Sequence, residues 1–320
     1  MRLIVNHGRM YHPSIDTVDE LESTIAQSPN VRLLNGRCSF PLILGRVLWE
    51  LYIRNLWRPN KFSATNNFQH FEDFFVVLMG PRFNNCFPYF ASSVCRHIYL
   101  FDAWPSSYDQ IAKFTDHFHV RNLFVSSRQS ALLLDKMSSS TNVHWIPEGV
   151  DPTRYHHKPS NQRRIDVLQM GRKWDSYHER ILQPIESAGY IYLFEKVKGQ
   201  LVFPSRQEFI NGLSDTKISI CFPSNITHPD RAGGVSTLTT RYLQSMASKC
   251  LVVGTPPPEL NDLFGYPPII EADLDNPAGQ LKAILSQYEQ YADLIESNYE
   301  AVCQNHTWER RWQEMQTHIL

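Results

Sequence analysis

Short apolar runs and amphipathic stretches alternate along the first half of the chain. The runs have the length of strands, and the stretches between them have the spacing of helices. The predicted strands are Leu3–Asn6, Val31–Leu34, Phe75–Met79, His97–Phe101, Asn122–Ser126 and Val143–Ile146, and the predicted helices are Thr17–Ala26, Phe40–Trp57, Ser106–Phe114 and Ser127–Lys136. This alternation predicts an α/β fold with a parallel sheet covered on both faces.

The alternation resumes after a polar, proline-containing segment, Asp151–Gln162. The predicted strands there are Ile165–Met170, Tyr190–Phe194, Ile218–Phe222, Cys250–Gly254 and Pro268–Glu271, and the helices at the end are Pro277–Tyr288, Tyr291–Cys303 and Thr307–Thr317. The interruption predicts two domains, residues 1–150 and 151–304, each with its own Rossmann-like parallel sheet. Residues 305–320 form a closing helical segment.

Composition narrows the class of protein. The 320 residues are 42% hydrophobic and 20% charged, with a net charge of −1, which is typical of a globular protein without affinity for nucleic acid. The six cysteines form no C-x-x-C pair, and no H-x-x-x-H spacing occurs. Reduced thiols and no metal site are therefore expected. A strand pattern at the first residues leaves no signal peptide, so a cytoplasmic location is expected.

The segment Phe40–Trp57 is apolar around most of a helical projection. Charged residues interrupt it too often for a membrane span. One interpretation is a helix buried in the first domain. The alternative is a peripheral contact of residues 40–58 with a membrane surface or a lipid acceptor, through Trp49, Trp57 and the arginines beside them.

Two strand-to-turn junctions in the second half predict a diphosphate site. The strand Ile165–Met170 runs into Gly171-Arg172-Lys173, and a glycine-rich turn, residues 230–234, leads into a helix predicted to begin at Val235. Parallel strands end at one edge of a sheet, where helix-start amides and fixed cations bind phosphate. The first strand is not followed by G-x-G-x-x-G, which argues against a dehydrogenase.

The candidate donor-site residues are cations, glycines and polar side chains at these two junctions. They are Gly171, Arg172, Lys173, Arg231, Gly233, Gly234, Ser236, Thr237, Thr240, Arg241 and Gln244. Arg172 is the foremost cation, with a surface salt bridge as its alternative role. The alternative for the glycine-rich turn is a capped helix without a ligand, and Arg241 could instead pair with a carboxylate.

Four motifs of the second half resemble the group 1 glycosyltransferases of the GT-B fold, and most closely their CgeB-like subgroup. They are Ile146-Pro147-Glu148-Gly149-Val150-Asp151, Met170-Gly171-Arg172, the run from Thr239 to Ala247 (TTRYLQSMA), and the run from His306 to Arg311 (HTWERR). They occur in the family's order and spacing over residues 146–320.

The resemblance implies two domains facing a central cleft, with the donor on the second and the acceptor on the first. It implies a nucleoside-diphosphate sugar as co-substrate, no cofactor, no metal ion and a retaining reaction, with a glycan, lipid-linked or small-molecule acceptor. The final helix would pack back on the first domain. On that domain Asp102 is the candidate catalytic residue, or else a loop cap, and Trp104 and His7 are candidate acceptor contacts.

One departure from the family bears on mechanism. Many retaining members carry two glutamates eight positions apart, and Ser236 and Gln244 stand at those positions. Neither supplies a carboxylate charge. A non-catalytic protein that binds sugar nucleotides or glycans, or a sugar-nucleotide epimerase on the same fold, therefore stays open beside the transferase. The sequence leaves the sugar, the base, the acceptor and the oligomeric state undetermined.

Overall fold

The computed structural model describes residues 1–5, 15–35, 47, 48, 50, 51, 54, 71–83, 90, 93–171, 173–197 and 199–319. The chain forms two compact units. The first unit contains residues up to Pro147 and the chain from Arg311 onward, and the second contains Glu148–Arg310. The division falls three residues before the predicted boundary, and it splits the closing helical segment.

The first unit is built on a six-stranded parallel sheet in the order β2-β1-β3-β4-β5-β6. The strands are β1 Arg2–Val5, β2 Arg32–Asn35, β3 Phe71–Met79, β4 Ser93–Phe101, β5 Asn122–Val125 and β6 Asn142–Trp145. The helices of this unit that lie entirely within the described residues before Pro147 are α1 Asp16–Ala26, α2 Tyr108–His117 and α3 Arg128–Met137. A continuous apolar strand is expected where helices cover both faces, and each residue of Phe74–Leu78 is at most 2% exposed.

The second unit contains a five-stranded parallel sheet in the order β11-β10-β9-β7-β8. The strands are β7 Ile165–Gln169, β8 Tyr192–Phe194, β9 Thr216–Cys221, β10 Leu251–Gly254 and β11 Ile270–Glu271. The helices are α4 Asp175–Glu186, α5 Arg206–Ser214, α6 Ser224–Thr227, α7 Pro229–Ala232, α8 Thr240–Ala247, α9 Leu260–Phe264, α10 Pro277–Ser286 and α11 Ala292–Asn305. Separate apolar clusters cover the two faces, one around Leu243 and Val252, the other around Ile181 and Ile218.

The last helix, α12 Trp308–Ile319, contacts the first unit through its later turns. Trp312 Nε1 donates to Ser28 Oγ at 2.7 Å, and its ring meets Phe75 edge-on with centroids 5.2 Å apart. Near the chain end, Asn122 Nδ2 donates to the carbonyl oxygen of His318 at 2.9 Å. The first unit is therefore completed by residues that follow the second unit in sequence.

The predicted two-sheet α/β fold is confirmed, and each predicted strand is present with its ends shifted by at most four residues. The helices α4 and α5, and the short helices α6, α7 and α9, were not predicted. Pro184 lies inside α4, and interior proline hides a helical pattern because it removes a backbone donor. Most of the apolar segment Phe40–Trp57 lies outside the described residues, so both interpretations of it remain predictions.

Candidate functional site

The loop before α8 differs from the sequence prediction. The predicted helix start at Val235 is wrong: α7 ends at Ala232, its C-cap Gly233 has φ +56°, and α8 begins only at Thr240. Its N-cap residue, Thr239, is extended, with φ −113° and ψ 155°. The segment stays extended because side chains from elsewhere in the unit accept hydrogen bonds from its backbone.

Two buried carboxylates supply these bonds. Glu148 is 6% exposed and accepts from Thr240 N at 2.6 Å and from the Thr240 hydroxyl. Glu259 is 1% exposed and accepts from Leu238 N at 2.8 Å and Thr237 Oγ1 at 3.1 Å. Charge-assisted bonds to amides at a helix start satisfy donors that would otherwise be orphaned. Thr237 and Thr240, predicted to bind the donor, thus direct their hydroxyls to carboxylates.

Sequence reasoning did not select either glutamate as a functional residue. Glu148 belongs to the motif that begins at Ile146, but nothing in its spacing points to a helix nearly a hundred residues later. Glu259 follows three consecutive prolines, and that pattern indicates only a loop. Both become recognisable once the structure shows that they are buried.

Arg241, on α8, lies beside Gly171 at the first of the two predicted strand-to-turn junctions. Gly171 has φ +70°, and a Cβ placed on it would lie 3.2 Å from Cζ of Arg241. Arg241 Nη1 donates to the carbonyl oxygen of Met170 at 3.1 Å. Among the described residues its bonded partner is this carbonyl and not a carboxylate, so the alternative of a structural ion pair for Arg241 is not observed. A half-buried cation stands at the carboxyl end of β7.

The other predicted donor residues have differing exposure. Arg231, Gly233 and Gly234 are exposed, and a Cβ placed on Gly234 would meet no atom within 4 Å. Ser236 is half-buried. Lys173 Nζ lies over the Phe194 ring, 5.0 Å from its centroid. Arg172 lies outside the described residues, and its assignment stays a prediction.

Gln244 lies on the inward side of α8. It is 5% exposed, and its Nε2 donates to the Tyr155 hydroxyl at 3.0 Å. The position where the resemblance places a second carboxylate therefore holds a buried amide bonded to a tyrosine.

In the first unit Asp102 follows the last residue of β4. Its φ of +53° is left-handed, which aspartate tolerates better than most residues. Its side chain is half-buried. The adjacent loop is fixed, since the Ala103 carbonyl accepts from Ser130 Oγ at 2.7 Å and that hydroxyl accepts from Tyr108 at 2.9 Å. Asp102 is thus held at the carboxyl edge of the sheet, where ligands of parallel sheets bind.

Burial argues against one of the two predicted acceptor contacts. Trp104 is only 5% exposed, because its ring packs inside the protein. This burial does not favour stacking on an acceptor sugar. His7 lies outside the described residues.

Comparison with known proteins places this geometry in a family. Residues 157–317, half of the chain, match a family described as glycosyl transferase-like. The chain belongs to this glycosyl transferase-like family. No curated protein sequence matches it significantly. The CgeB-like subgroup stays a prediction.

Solved structures show the same fold at low sequence identity. HepE of Anabaena in complex with UDP and glucose has a TM-score of 0.59 and 8% identity, with 100% of this chain and 99% of that chain covered. HepE in complex with UDP-glucose has a TM-score of 0.58 and 8% identity, with 100% of this chain and 99% of that chain covered. Sucrose-phosphate synthase from Thermosynechococcus elongatus has a TM-score of 0.57 and 10% identity, with 99% of this chain and 97% of that chain covered. These structures confirm the predicted GT-B fold, and the family match confirms the prediction of a glycosyltransferase-like chain.

Near the candidate site of this glycosyl transferase-like chain, His178 is part of a buried network. Its Nδ1 lies 2.8 Å from the Tyr192 hydroxyl, which donates to Gln169 Oε1 at 2.6 Å. Burial, followed by the charge of Lys173, lowers the pKa of His178 below its usual range. The imidazole is therefore kept neutral.

The cysteines of the second unit match the expectation of reduced thiols. Cys221 and Cys250 are buried and free, and burial raises the pKa of Cys250 to about 11. In the first unit, by contrast, Asp73, Cys95 and His97 form a cluster of possible metal ligands that the sequence pattern did not indicate.

No helix among the described residues is long and apolar enough to cross a membrane. Of the segment 40–58, residues 47, 48, 50, 51 and 54 are described, and Arg54 pairs with Glu50 at 3.3 Å on the surface. The peripheral membrane contact and the cytoplasmic location remain predictions.

Proposed function

We propose that the protein transfers a sugar from a nucleoside-diphosphate sugar to a hydroxyl group of a glycan, a lipid-linked acceptor or a small molecule, without a metal ion at the reacting phosphate. The observation that carries the proposal is the half-buried guanidinium of Arg241 beside Gly171, bonded to a backbone carbonyl and not to a carboxylate. A cation held in this way can take an anion without first breaking an ion pair.

The donor diphosphate would lie between Arg241 and the glycine-rich turn. Gly233 and Gly234 are exposed and carry no side chain, so their backbone can approach phosphate oxygens closely. Arg231 is exposed on the same turn, and Arg172 follows Gly171 directly. The UDP found in HepE supports a uridine nucleotide as the first donor to test.

Leaving-group stabilisation is the chemistry this arrangement suits. Negative charge develops on the departing diphosphate, and fixed cations lower the energy of that charge most in a partly buried site. Glu148 and Glu259 each accept from a backbone amide and a threonine hydroxyl through one carboxylate oxygen, and we assign them to holding the loop before α8. A retaining transfer would use the leaving phosphate to take the acceptor proton. In an inverting transfer Asp102 would be the base.

Ligand binding tests the donor site. We compare UDP with uridine by calorimetry for the wild type and for Arg241→Met, expecting a loss on the order of 10- to 100-fold for UDP because a charge-assisted bond contributes about 1.5–3 kcal/mol. Uridine affinity should change little. Arg180→Met is the matched control, since the guanidinium of Arg180 also donates to carbonyl oxygens, those of Leu274 and Asp275, in the same unit. Equal losses for UDP and uridine would remove Arg241 from the phosphate site.

A non-catalytic, nucleotide-binding protein is the second candidate. It is favoured by one observation: Ser236 and Gln244 stand at the family's carboxylate positions, and the amide of Gln244 is bonded to Tyr155. A panel of sugar nucleotides separates the two candidates. Release of free nucleoside diphosphate that accelerates with an acceptor supports the transferase, and tight binding without release supports the alternative. Turnover unchanged by a chelator would support the metal-free reaction.

A further inference from the structure

Three side chains of different chemistry converge on the sheet of the first unit. Asp73 on β3 is the direct neighbour of Cys95 on β4 in the parallel register. His97 lies two residues further along β4 and so points to the same face as Cys95. One atom of each side chain, a carboxylate oxygen, a thiol sulfur and an imidazole nitrogen, lies within 4.8 Å of the other two.

The spacing of these atoms fits a small divalent cation. Cys95 Sγ and His97 Nε2 are 3.4 Å apart. Bond lengths of about 2.3 Å for Zn–S and about 2.0–2.1 Å for Zn–N place the two ligands of a tetrahedral zinc ion about 3.6 Å apart. Cysteine, histidine and aspartate together form a donor set that suits Zn²⁺ better than Mg²⁺ or Ca²⁺, which prefer oxygen alone.

The cluster is also open to solvent on one side. Asp73 and Cys95 are half-exposed, so an ion and a water molecule have a way in. His97 is fully buried, so it would approach a bound ion from inside the unit. The Arg121 guanidinium interacts with the Cys95 thiol and would have to turn away when an ion binds.

We propose that Asp73, Cys95 and His97 form a zinc site with a water molecule as the fourth ligand. The site lies three to five residues into β3 and β4, near their amino ends. Asp102 stands beyond the carboxyl end of β4. The zinc would therefore stabilise or regulate the first unit and take no part in the transfer reaction. This proposal does not depend on the proposed function.

Asn122 couples the site to the last helix. Its Nδ2 lies 3.1 Å from His97 Nδ1 and donates to the His318 carbonyl, while its Oδ1 lies 3.2 Å from His144 Nε2. Donation from Asn122 places the proton of His97 on Nε2, facing Cys95. Ligation through Nε2 requires the proton of His97 on Nδ1. The side-chain amide of Asn122 must then rotate to accept that proton, and it loses its hydrogen bond to the His318 carbonyl. Zinc binding would loosen the last turn of α12.

Metal titration of the whole chain tests the site. The protein is stripped with a chelator, desalted, and titrated with Zn²⁺ against a chromogenic chelator. One zinc per chain is expected. Cys95→Ser and Asp73→Asn should each lower the affinity more than about 100-fold, above the range known for residues that only support ligands. Cys303→Ser is the control, since Cys303 is a half-exposed free cysteine of the second unit. Unchanged zinc binding in Cys95→Ser, or equal losses in Cys303→Ser, would overturn the proposal.

Two further measurements do not depend on whether those variants fold. Co²⁺ added to the stripped wild type should give a thiolate-to-metal charge-transfer band, and the lack of that band would rule out Cys95 as a ligand. Asn122→Asp supplies an acceptor for Nδ1–H without turning an amide, and should raise zinc affinity about tenfold. An unchanged or lower affinity would argue against ligation through Nε2.

Discussion

The carboxylates near the two candidate sites differ in what surrounds them. Asp102 in the first unit is half-buried beyond the end of β4, on a residue with left-handed backbone. Glu148 and Glu259 in the second unit are almost fully buried, and each binds one backbone amide and one threonine hydroxyl. These two glutamates hold the loop before α8 in place and so stabilise the fold. Asp102 can still meet a substrate, because its environment leaves it accessible.

The largest expected effect comes from replacing Asp102, and it should change only the rate of sugar transfer. If it is the base of an inverting transfer, Asp102→Asn lowers the rate about 10²- to 10⁴-fold, because removal of a general base has that effect. Donor affinity and thermal stability should stay nearly unchanged. Steady-state kinetics with a binding assay checks this. A wild-type rate would show that Asp102 only caps its loop, and would favour the retaining, phosphate-assisted reaction.

Replacement of Glu259 should affect stability instead. Glu259→Ala leaves Leu238 N and Thr237 Oγ1 without a charged partner, and each such bond contributes about 1.5–3 kcal/mol. The free energy of unfolding should fall by about 3–5 kcal/mol, measured by urea denaturation. Glu271→Ala is the control, since Glu271 is an exposed glutamate of the same unit. A variant of normal stability that has lost activity would break the contrast with Asp102 and assign Glu259 to the chemistry.

Much of this fold could be predicted from the sequence. Apolar runs such as Phe74–Leu78 are long and continuous, and they predict buried strands directly. Gly171 and Arg241 were both selected from the sequence, and the structure places them side by side. The later start of α8 could not be predicted, because it depends on Glu148 and Glu259 reaching the segment from distant positions. The Asp73–Cys95–His97 cluster was also hidden, since it depends on strand register and not on a ligand spacing along the chain.

The dependence of stability on pH should show that His178 of the second unit is neutral in the folded protein. The pKa of His178 is lowered in the folded protein, so the unfolded chain binds more protons as the pH falls below about 6.5. Stability from this group is present above that pH and is lost below it. Urea denaturation at about pH 7.5 and pH 5.5 should show a smaller loss in His178→Gln than in the wild type. An equal loss in both would assign the acid sensitivity to other groups.

The smallest effect should come from replacing one residue of left-handed backbone conformation in each unit by glycine. Lys249 has φ +54° and Asp102 has φ +53°. Glycine removes a backbone strain of about 1–2 kcal/mol but gives the unfolded chain more freedom, and at Lys249 it also removes an ion pair with Glu296 and a cation–π contact with Tyr299. Because these effects oppose one another, Lys249→Gly should change the melting temperature little and leave activity intact. Asp102→Gly should also change stability little but lose transfer. Equal activity losses in both variants would remove the distinction between the two positions.

The discontinuous first unit has a consequence for synthesis. All of Glu148–Arg310 lies between its two parts, and Val150 pairs with Thr307 at the borders of this insertion. The sequence of the second unit is complete once Arg310 has been added to the chain. The first unit, although made earlier, must wait for Trp312 and His318. Until then the side of its sheet near Phe75 stays uncovered. A chain that ends just before α12 should therefore aggregate in the cell through its first unit.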